Sequence, residues 1–231
     1  MGLAEAIQAV QDRINNSALK AGRNPDGIKL VAVSKTVKLN RIIEAVKAGA
    51  TIFGENRVQE AREKISNIKF QISDRKIQWH LIGNLQKNKA KIAVRLFDLI
   101  HSVDSIALAE ELDKQADKRG KKQRVLLQVK LTDETAKHGI PEKDLMDLLQ
   151  KVRDMDSLEL EGLMTMPPFF DDPERTRPYF RRLRQIADSM IEKGFHINEL
   201  SMGMTNDFEV AIEEGSTMVR VGRAIFGERN Y

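Results

Sequence analysis

Lys35 closes the run Leu30-Val31-Ala32-Val33-Ser34, which is apolar on both faces. Burying an ammonium disfavours its charged form. A neutral amine can attack an aldehyde and form an imine. Read alone, the same lysine could simply snorkel to solvent at a strand end. Near the other end of the chain stand two glycine-containing turns, Ser201-Met202-Gly203-Met204-Thr205 and Gly222-Arg223-Ala224-Ile225-Phe226-Gly227. The first offers two hydroxyls. The second offers amides at a helix N-terminus, a setting that suits an anion such as phosphate. Each on its own could be only a turn. Arg220, within Met218-Val219-Arg220-Val221, is an arginine inside a strand. It needs a partner there, either a carboxylate such as Glu55 or a ligand atom. A lysine, a phosphate site and an arginine for a pyridine nitrogen make a constellation that fits pyridoxal phosphate.

Those residues must be placed by a scaffold, and the patterning suggests which. Leu3, Ile7, Val10 and Ile14 recur at helical spacing, so residues 3–21 read as an amphipathic helix. β-branched runs then alternate with helical patterns. Strands are predicted near 29–34, 50–53, 77–82, 97–101, 124–130, 159–164, 198–202 and 217–221. Helices are predicted near 39–48, 56–66, 86–95, 105–119, 141–154, 174–193 and 205–214, with a short final turn. Strands separated by helices imply a parallel sheet. Eight of them suggest a closed (β/α)8 TIM-type barrel with an additional N-terminal helix, one domain over residues 1–231. A doubly wound open sheet is the competing architecture, but the first strand ends in Ser34-Lys35-Thr36 rather than a glycine-rich turn. In a barrel the chemistry collects at the C-terminal strand ends, which is where Lys35, Asn56, Thr205, Gly222 and Arg223 fall.

Composition narrows the classes. The 231 residues contain no cysteine, so disulfides, thiolate metal sites and cysteine nucleophiles are excluded. Residues 1–22 carry Glu5 and Asp12 and lack a basic start before an apolar stretch, so no secretory signal is expected. Ala6 stands where a myristoylation signal wants Ser or Thr. No apolar run reaches the roughly 20 residues of a membrane span. The net charge is +4, and the densest basic run, Lys118 to Arg124, reads as a solvated helix end. Aromatic residues are 5% and no nucleic-acid module is present, so nucleic-acid binding is not expected. His80, His101, His138 and His196 lack metal-ligand spacing and read as structural or exposed, with His80 the best exception. Lys87, Lys89 and Lys91 read as a solvated helix face, and Met164, Met166, Met202 and Met204 as core or pocket lining.

Several long motifs resemble the pyridoxal phosphate homeostasis proteins, also called the alanine-racemase N-terminal-domain-like family. They are Val31-Ala32-Val33-Ser34-Lys35, Gly54-Glu55-Asn56-Arg57-Val58-Gln59-Glu60, the stretch from Trp79 to Lys89, Leu200 to Asp207, Val219-Arg220-Val221-Gly222 and Ala224-Ile225-Phe226-Gly227. The resemblance runs from about Leu30 to Tyr231. It implies a barrel carrying pyridoxal 5'-phosphate as an imine on Lys35. It also implies Arg220 at the pyridine nitrogen, Asn56 near the ring face, and phosphate contacts from Ser201, Thr205 and the amides of Gly222 and Arg223. One departure is Lys130, where the family usually has Asn; the following Glu134, Lys137 and Gly139 match.

The function implied is that of a cytoplasmic, monomeric carrier or regulator in vitamin B6 and amino-acid homeostasis, with apo pyridoxal phosphate enzymes as partners and no settled catalysis. The alternatives are an amino-acid racemase using the same lysine, and a scaffold protein whose phosphate site is incidental. An efficient racemase is not expected. Racemisation needs an acid–base group on each face of the substrate carbanion, and the tyrosines are only Tyr179 and Tyr231. The chain stops nine residues beyond Gly222. Arginine has no acceptor and stays charged, so Arg220 would leave the pyridine nitrogen unprotonated and the ring a weaker electron sink.

Overall fold

Alternation along each strand sends one set of side chains inward and the other out to the helices. Val31 and Val33 belong to a small apolar cluster with Ile82, Leu99, Leu126, Met164 and Met218. Their chain neighbours Ala32, Ile100, Val125, Leu127 and Val219 belong to the large cluster shared with the helices. The small cluster is the inside of a barrel. The computed structural model describes residues 2–68, 76–132 and 138–228. Glu134, Lys137 and Tyr231 lie outside the described residues.

The strands are β1 (Lys29–Val33), β2 (Ile52–Glu55), β3 (Gln78–Leu81), β4 (Leu99–Val103), β5 (Gln123–Lys130), β6 (Ile140–Pro141), β7 (Leu158–Met164), β8 (Glu199–Met204) and β9 (Met218–Val221). Their order is β4-β3-β2-β1-β9-β8-β7-β5, every pairing is parallel, and β5 pairs back onto β4. Eight strands thus close into the expected TIM-type α/β barrel. The two-residue β6 hangs on β5 through the Val129–Ile140 register and was not anticipated. It takes the place of the expected start of the helix at 141, with Pro141 extended and standing as the cap of the 3-10 turn that follows. That helix begins only at Leu145, after a 3-10 turn. The strands expected at 50–53 and 97–101 lie two residues further on. At the latter, Phe97 caps the preceding helix and is buried against the helical layer.

The helices are α1 (Leu3–Lys20), α2 (Leu39–Lys47), α3 (Val58–Ile68), α4 (Ala90–Leu96), α5 (Ile106–Asp117), α6 (Leu145–Arg153), α7 (Arg177–Glu192), α8 (Phe208–Glu213) and α9 (Arg223–Phe226). α9 is a single turn, too short to cover its strand. α1 packs against α8, α9 and α2 and so fills the gap in the outer layer. Leu3, Ile7, Val10 and Ile14 form its buried stripe. Arg13 locks it with paired 2.9 Å bonds to Glu209 and lies 4.6 Å over the Phe208 ring.

The basic run at 118–124 is only partly a solvated face. Lys121 donates to the carbonyls of Val94 and Phe97 at 2.9 and 2.8 Å, capping the C-terminal end of α4. Arg124 forms a two-pronged pair with Glu161, and Lys29 pairs with Glu199. Lys29 and Arg124 share the strand parity of the inward residues Val31 and Leu126, so these pairs plug the barrel near the N-terminal strand ends. Among the described residues, no helix is long and apolar enough to cross a membrane.

Candidate functional site

The register of the barrel decides which sequence-predicted residues meet. β1 lies between β2 and β9, and β8 lies beyond β9. Asn56 follows β2, Lys35 follows β1 by two residues, Gly222 and Arg223 follow β9, and Thr205 follows β8. Four neighbouring strands therefore deliver these residues to one rim. Gly222 packs directly beside β1: a Cβ on it would sit 3.3 Å from Val33 Cβ. Its amide points at Thr205 Oγ1, 3.4 Å away. Lys35, Asn56, Thr205 and Gly222 are half-buried and Arg223 is exposed, as a rim open to a ligand requires.

Two glycines make this rim possible. Gly203, at φ +91°, turns the end of β8 toward Thr205, and a Cβ there would lie 2.6 Å from Ala211 Cβ. Gly83 lets the backbone after β3 touch Asn56, whose carbonyl would be 2.3 Å from any added Cβ. Ser102 Oγ then ties down the Gly83 carbonyl at 2.7 Å.

Arg220 lies inside the barrel, fully out of solvent. It donates to Ser201 Oγ at 2.6 Å and to the Thr165 carbonyl at 2.9 Å. Burial lowers its pKa to about 10, and the nearby Asp207 partly opposes the shift. Among the described residues it makes no ion pair, so the proposed partner Glu55 is not its partner. Glu55 is held instead by Lys64 at 2.9 Å and by the Ser34 hydroxyl at 2.6 Å. Five N–H groups with two bonds to neutral oxygens leave the guanidinium with donors to spare.

Ser201 departs from the sequence expectation. It is completely buried, and its hydroxyl is engaged by Arg220 and, at 2.9 Å, by His101 Nδ1. His101 Nε2 in turn lies 3.0 Å from His80 Nδ1, whose other nitrogen is 3.5 Å from Gln78 Oε1. Arginine can only donate, so Ser201 accepts from Arg220, and the tautomer of His101 sets the direction of the bonds that continue to Ser201 and His80. Because β4 and β8 are not neighbours, the His101–Ser201 bond crosses the barrel interior. Both imidazoles are neutral. Desolvation, joined by the charges of Arg124 and Lys29, brings His80 down to about 3. Desolvation, then His80, Arg220 and Arg124, hold His101 well below the ordinary histidine value.

The sequence reading missed this chain as a chain. Its one legible trace was parity: Gln78 and His80 share a face of β3. Lys64 and the Thr165 carbonyl had no sequence signal pointing to the site, and Glu60 was visible only as the end of the Gly54–Glu60 motif. Lys130 is half-buried and lines a separate cleft of about 580 Å³ with Thr132, Glu142, Tyr179 and Arg182. Tyr179 lies in the outer helix α7, as expected, with its ring 6.1 Å from Phe170. Among the described residues no group of three or more His, Cys, Asp or Glu side chains could hold a metal ion.

The donor set at the rim suits a phosphorylated aldehyde bearing a ring nitrogen. It combines a primary amine, a hydroxyl beside backbone amides, and a buried cation with unused donors. The family model described as the alanine racemase N-terminal domain matches residues 6–230. The pyridoxal phosphate homeostasis protein of Aquifex aeolicus is 41% identical over 232 residues, covering 100% of both chains. The structure of PipY from Synechococcus elongatus with PLP bound is 37% identical, with a TM-score of 0.85 over 98% of this chain and 100% of that one. An alanine racemase of Clostridium difficile shares the fold at 16% identity, with a TM-score of 0.71 over 98% of this chain and 58% of that one.

Proposed function

Because this chain belongs to the alanine racemase N-terminal domain family, we propose that it binds pyridoxal 5'-phosphate as an imine on Lys35 and serves as a carrier or regulator in vitamin B6 and amino-acid homeostasis. The observation that carries this reading is the buried Arg220, which makes no ion pair among the described residues and lies under the rim shared by Lys35, Thr205 and Gly222. The cofactor, when bound, supplies an electrophilic aldehyde and an electron-withdrawing ring.

In this reading Lys35 holds the aldehyde carbon. Thr205 and the amides of Gly222 and Arg223 hold the phosphate, and each donor to a charged oxygen contributes about 1.5–3 kcal/mol. Asn56 borders the ring. Arg220 donates to the pyridine nitrogen and keeps it unprotonated, which blunts carbanion stabilisation and argues against efficient racemisation. Ser201 is reassigned from phosphate ligand to the group that aims Arg220. Within the same reading the protein is a cytoplasmic monomer, and apo pyridoxal phosphate enzymes are its recipients. The test is borohydride reduction of the loaded protein followed by peptide mapping. The label is expected on Lys35; a label chiefly on Lys130 or Lys137 overturns the assignment.

A further inference from the structure

Lys35 sits in a turn whose backbone is unusual. The Val37 amide donates to the Ser34 carbonyl at 3.0 Å, closing a four-residue turn over 34–37. Thr36, its third residue, has φ +63° and is the one non-glycine residue with positive φ among those described. Turns of this kind normally place Gly or Asn there. A β-branched residue in the left-handed region is an outlier that persists only where its surroundings impose it.

The surroundings here are specific. Glu60 Oε1 accepts from the Thr36 amide at 2.5 Å. The same oxygen accepts from Lys64 at 2.6 Å, one helical turn further along α3. Lys64 also donates to the Ser34 carbonyl at 2.6 Å and to Glu55 Oε1 at 2.9 Å. Glu55 Oε1 receives the Ser34 hydroxyl as well. Residues 34 and 36, on either side of Lys35, are thus both gripped by one charged cluster on α3 and β2. Lys64 is the hub, with its side chain only 11% exposed. The cluster also contains an unusual cost. Among the described residues, Glu55 Oε2 is buried with no hydrogen-bond partner. Such a group stays in a fold when the arrangement it belongs to is needed.

We propose that Lys64 and Glu60 are positioning residues: they hold Thr36 in the left-handed conformation and so present the Lys35 amine to the barrel rim at the height of the Thr205–Gly222 anion site. The proposal rests on the reading of Lys35 as the imine lysine. It separates two functions of the site. The phosphate anchor belongs to β8 and β9, whereas the angle of the amine belongs to α3.

The test compares wild type, Lys64→Met, Glu60→Ala and the double variant Lys64→Met/Thr36→Gly. Two ligands are used: pyridoxal 5'-phosphate, which can form the imine, and pyridoxine 5'-phosphate, which has ring and phosphate but no aldehyde. Imine formation is followed by absorbance and borohydride mapping. Thermal melting controls for folding. Lys64→Met and Glu60→Ala should each weaken imine formation by roughly tenfold, the factor expected when a strained left-handed residue loses its support. Affinity for pyridoxine 5'-phosphate should change less than twofold. Thr36→Gly should restore most of the loss in Lys64→Met, because glycine adopts positive φ without strain. Unchanged imine formation in both single variants overturns the proposal. So does a parallel loss for both ligands that Thr36→Gly fails to rescue. If the wild-type label falls elsewhere than Lys35, the functional reading itself fails. A wild-type label on Lys35 with unaffected variants sinks the positioning role alone.

Discussion

Acidification should destabilise this fold through the two histidines inside the barrel, before most carboxylates titrate. His80 and His101 are both fully buried and mutually hydrogen-bonded at 3.0 Å; Arg124 and Lys29 act on His80, and Arg220 and Arg124 on His101. In the unfolded chain each titrates near 6.5; in the fold His80 falls to about 3 and His101 lies well below 6.5. A base whose folded pKa is depressed stabilises the fold above its unfolded pKa, and that stability is lost as pH falls. pH 5 lies 1.5 units below the unfolded imidazole's value of 6.5. Linkage at about 1.36 kcal/mol per unit gives a loss of about 2 kcal/mol for each imidazole still neutral in the fold. His80 alone therefore loses about 2 kcal/mol between pH 8 and pH 5 and goes on losing stability down to about pH 3, and His101, also depressed, adds a loss of the same sign. Glu55, Asp104 and Asp207, all raised by desolvation, act with the opposite sign: in the fold they bind protons more tightly, which favours the fold as pH falls. Urea unfolding at pH 8 and pH 5 measures the net slope, and imidazole NMR assigned by single-site variants isolates the histidines. A His80 imidazole that titrates above pH 5 in the folded protein, or a His101 imidazole that titrates at or above the ordinary 6.5, would refute this account of the barrel interior.

Other outcomes follow from the same geometry. Thr205→Ala should weaken pyridoxal 5'-phosphate binding about tenfold through a lost phosphate donor, whereas Ser201→Ala should alter the absorbance of the bound ring while leaving pyridoxal and its phosphate as well discriminated as before. Equilibrium dialysis and spectra on both variants decide this, and a lost phosphate preference in Ser201→Ala would return that residue to the phosphate site. Gly203→Ala forces a side chain into φ +91° and to 2.6 Å from Ala211, so thermal melting should show a destabilisation of about 2 kcal/mol or more. Arg13→Ala should cost no more than about 1 kcal/mol despite its paired bonds to Glu209, because both partners are about two-fifths exposed.

The amino-acid sequence was sufficient for the succession of elements. β-branched runs at regular spacing, each followed by a helical period, specify eight parallel strands because period-two and period-3.6 burial are properties of local order. The same order located Lys35, Asn56, Thr205 and Gly222 at strand ends, and barrel strand ends of one polarity share a rim. Closure of the ring itself, through the β4–β5 pairing, and the substitution of α1 for a missing outer helix arise only when distant segments meet. The partners of the charged residues were settled the same way. An inward arginine needs a partner, and the sequence offered Glu55, 165 residues earlier by numbering, as readily as any other. The barrel placed Glu55 on the outward parity of β2, against Lys64 of α3, and turned Arg220 inward to Ser201, His101 and His80. Hydrogen bonds across a barrel join residues about 20 to 100 positions apart, and their geometry depends on strand tilt and stagger. No local pattern encodes which inward side chains will meet at 3 Å, so the role of Ser201 was decided by tertiary structure alone.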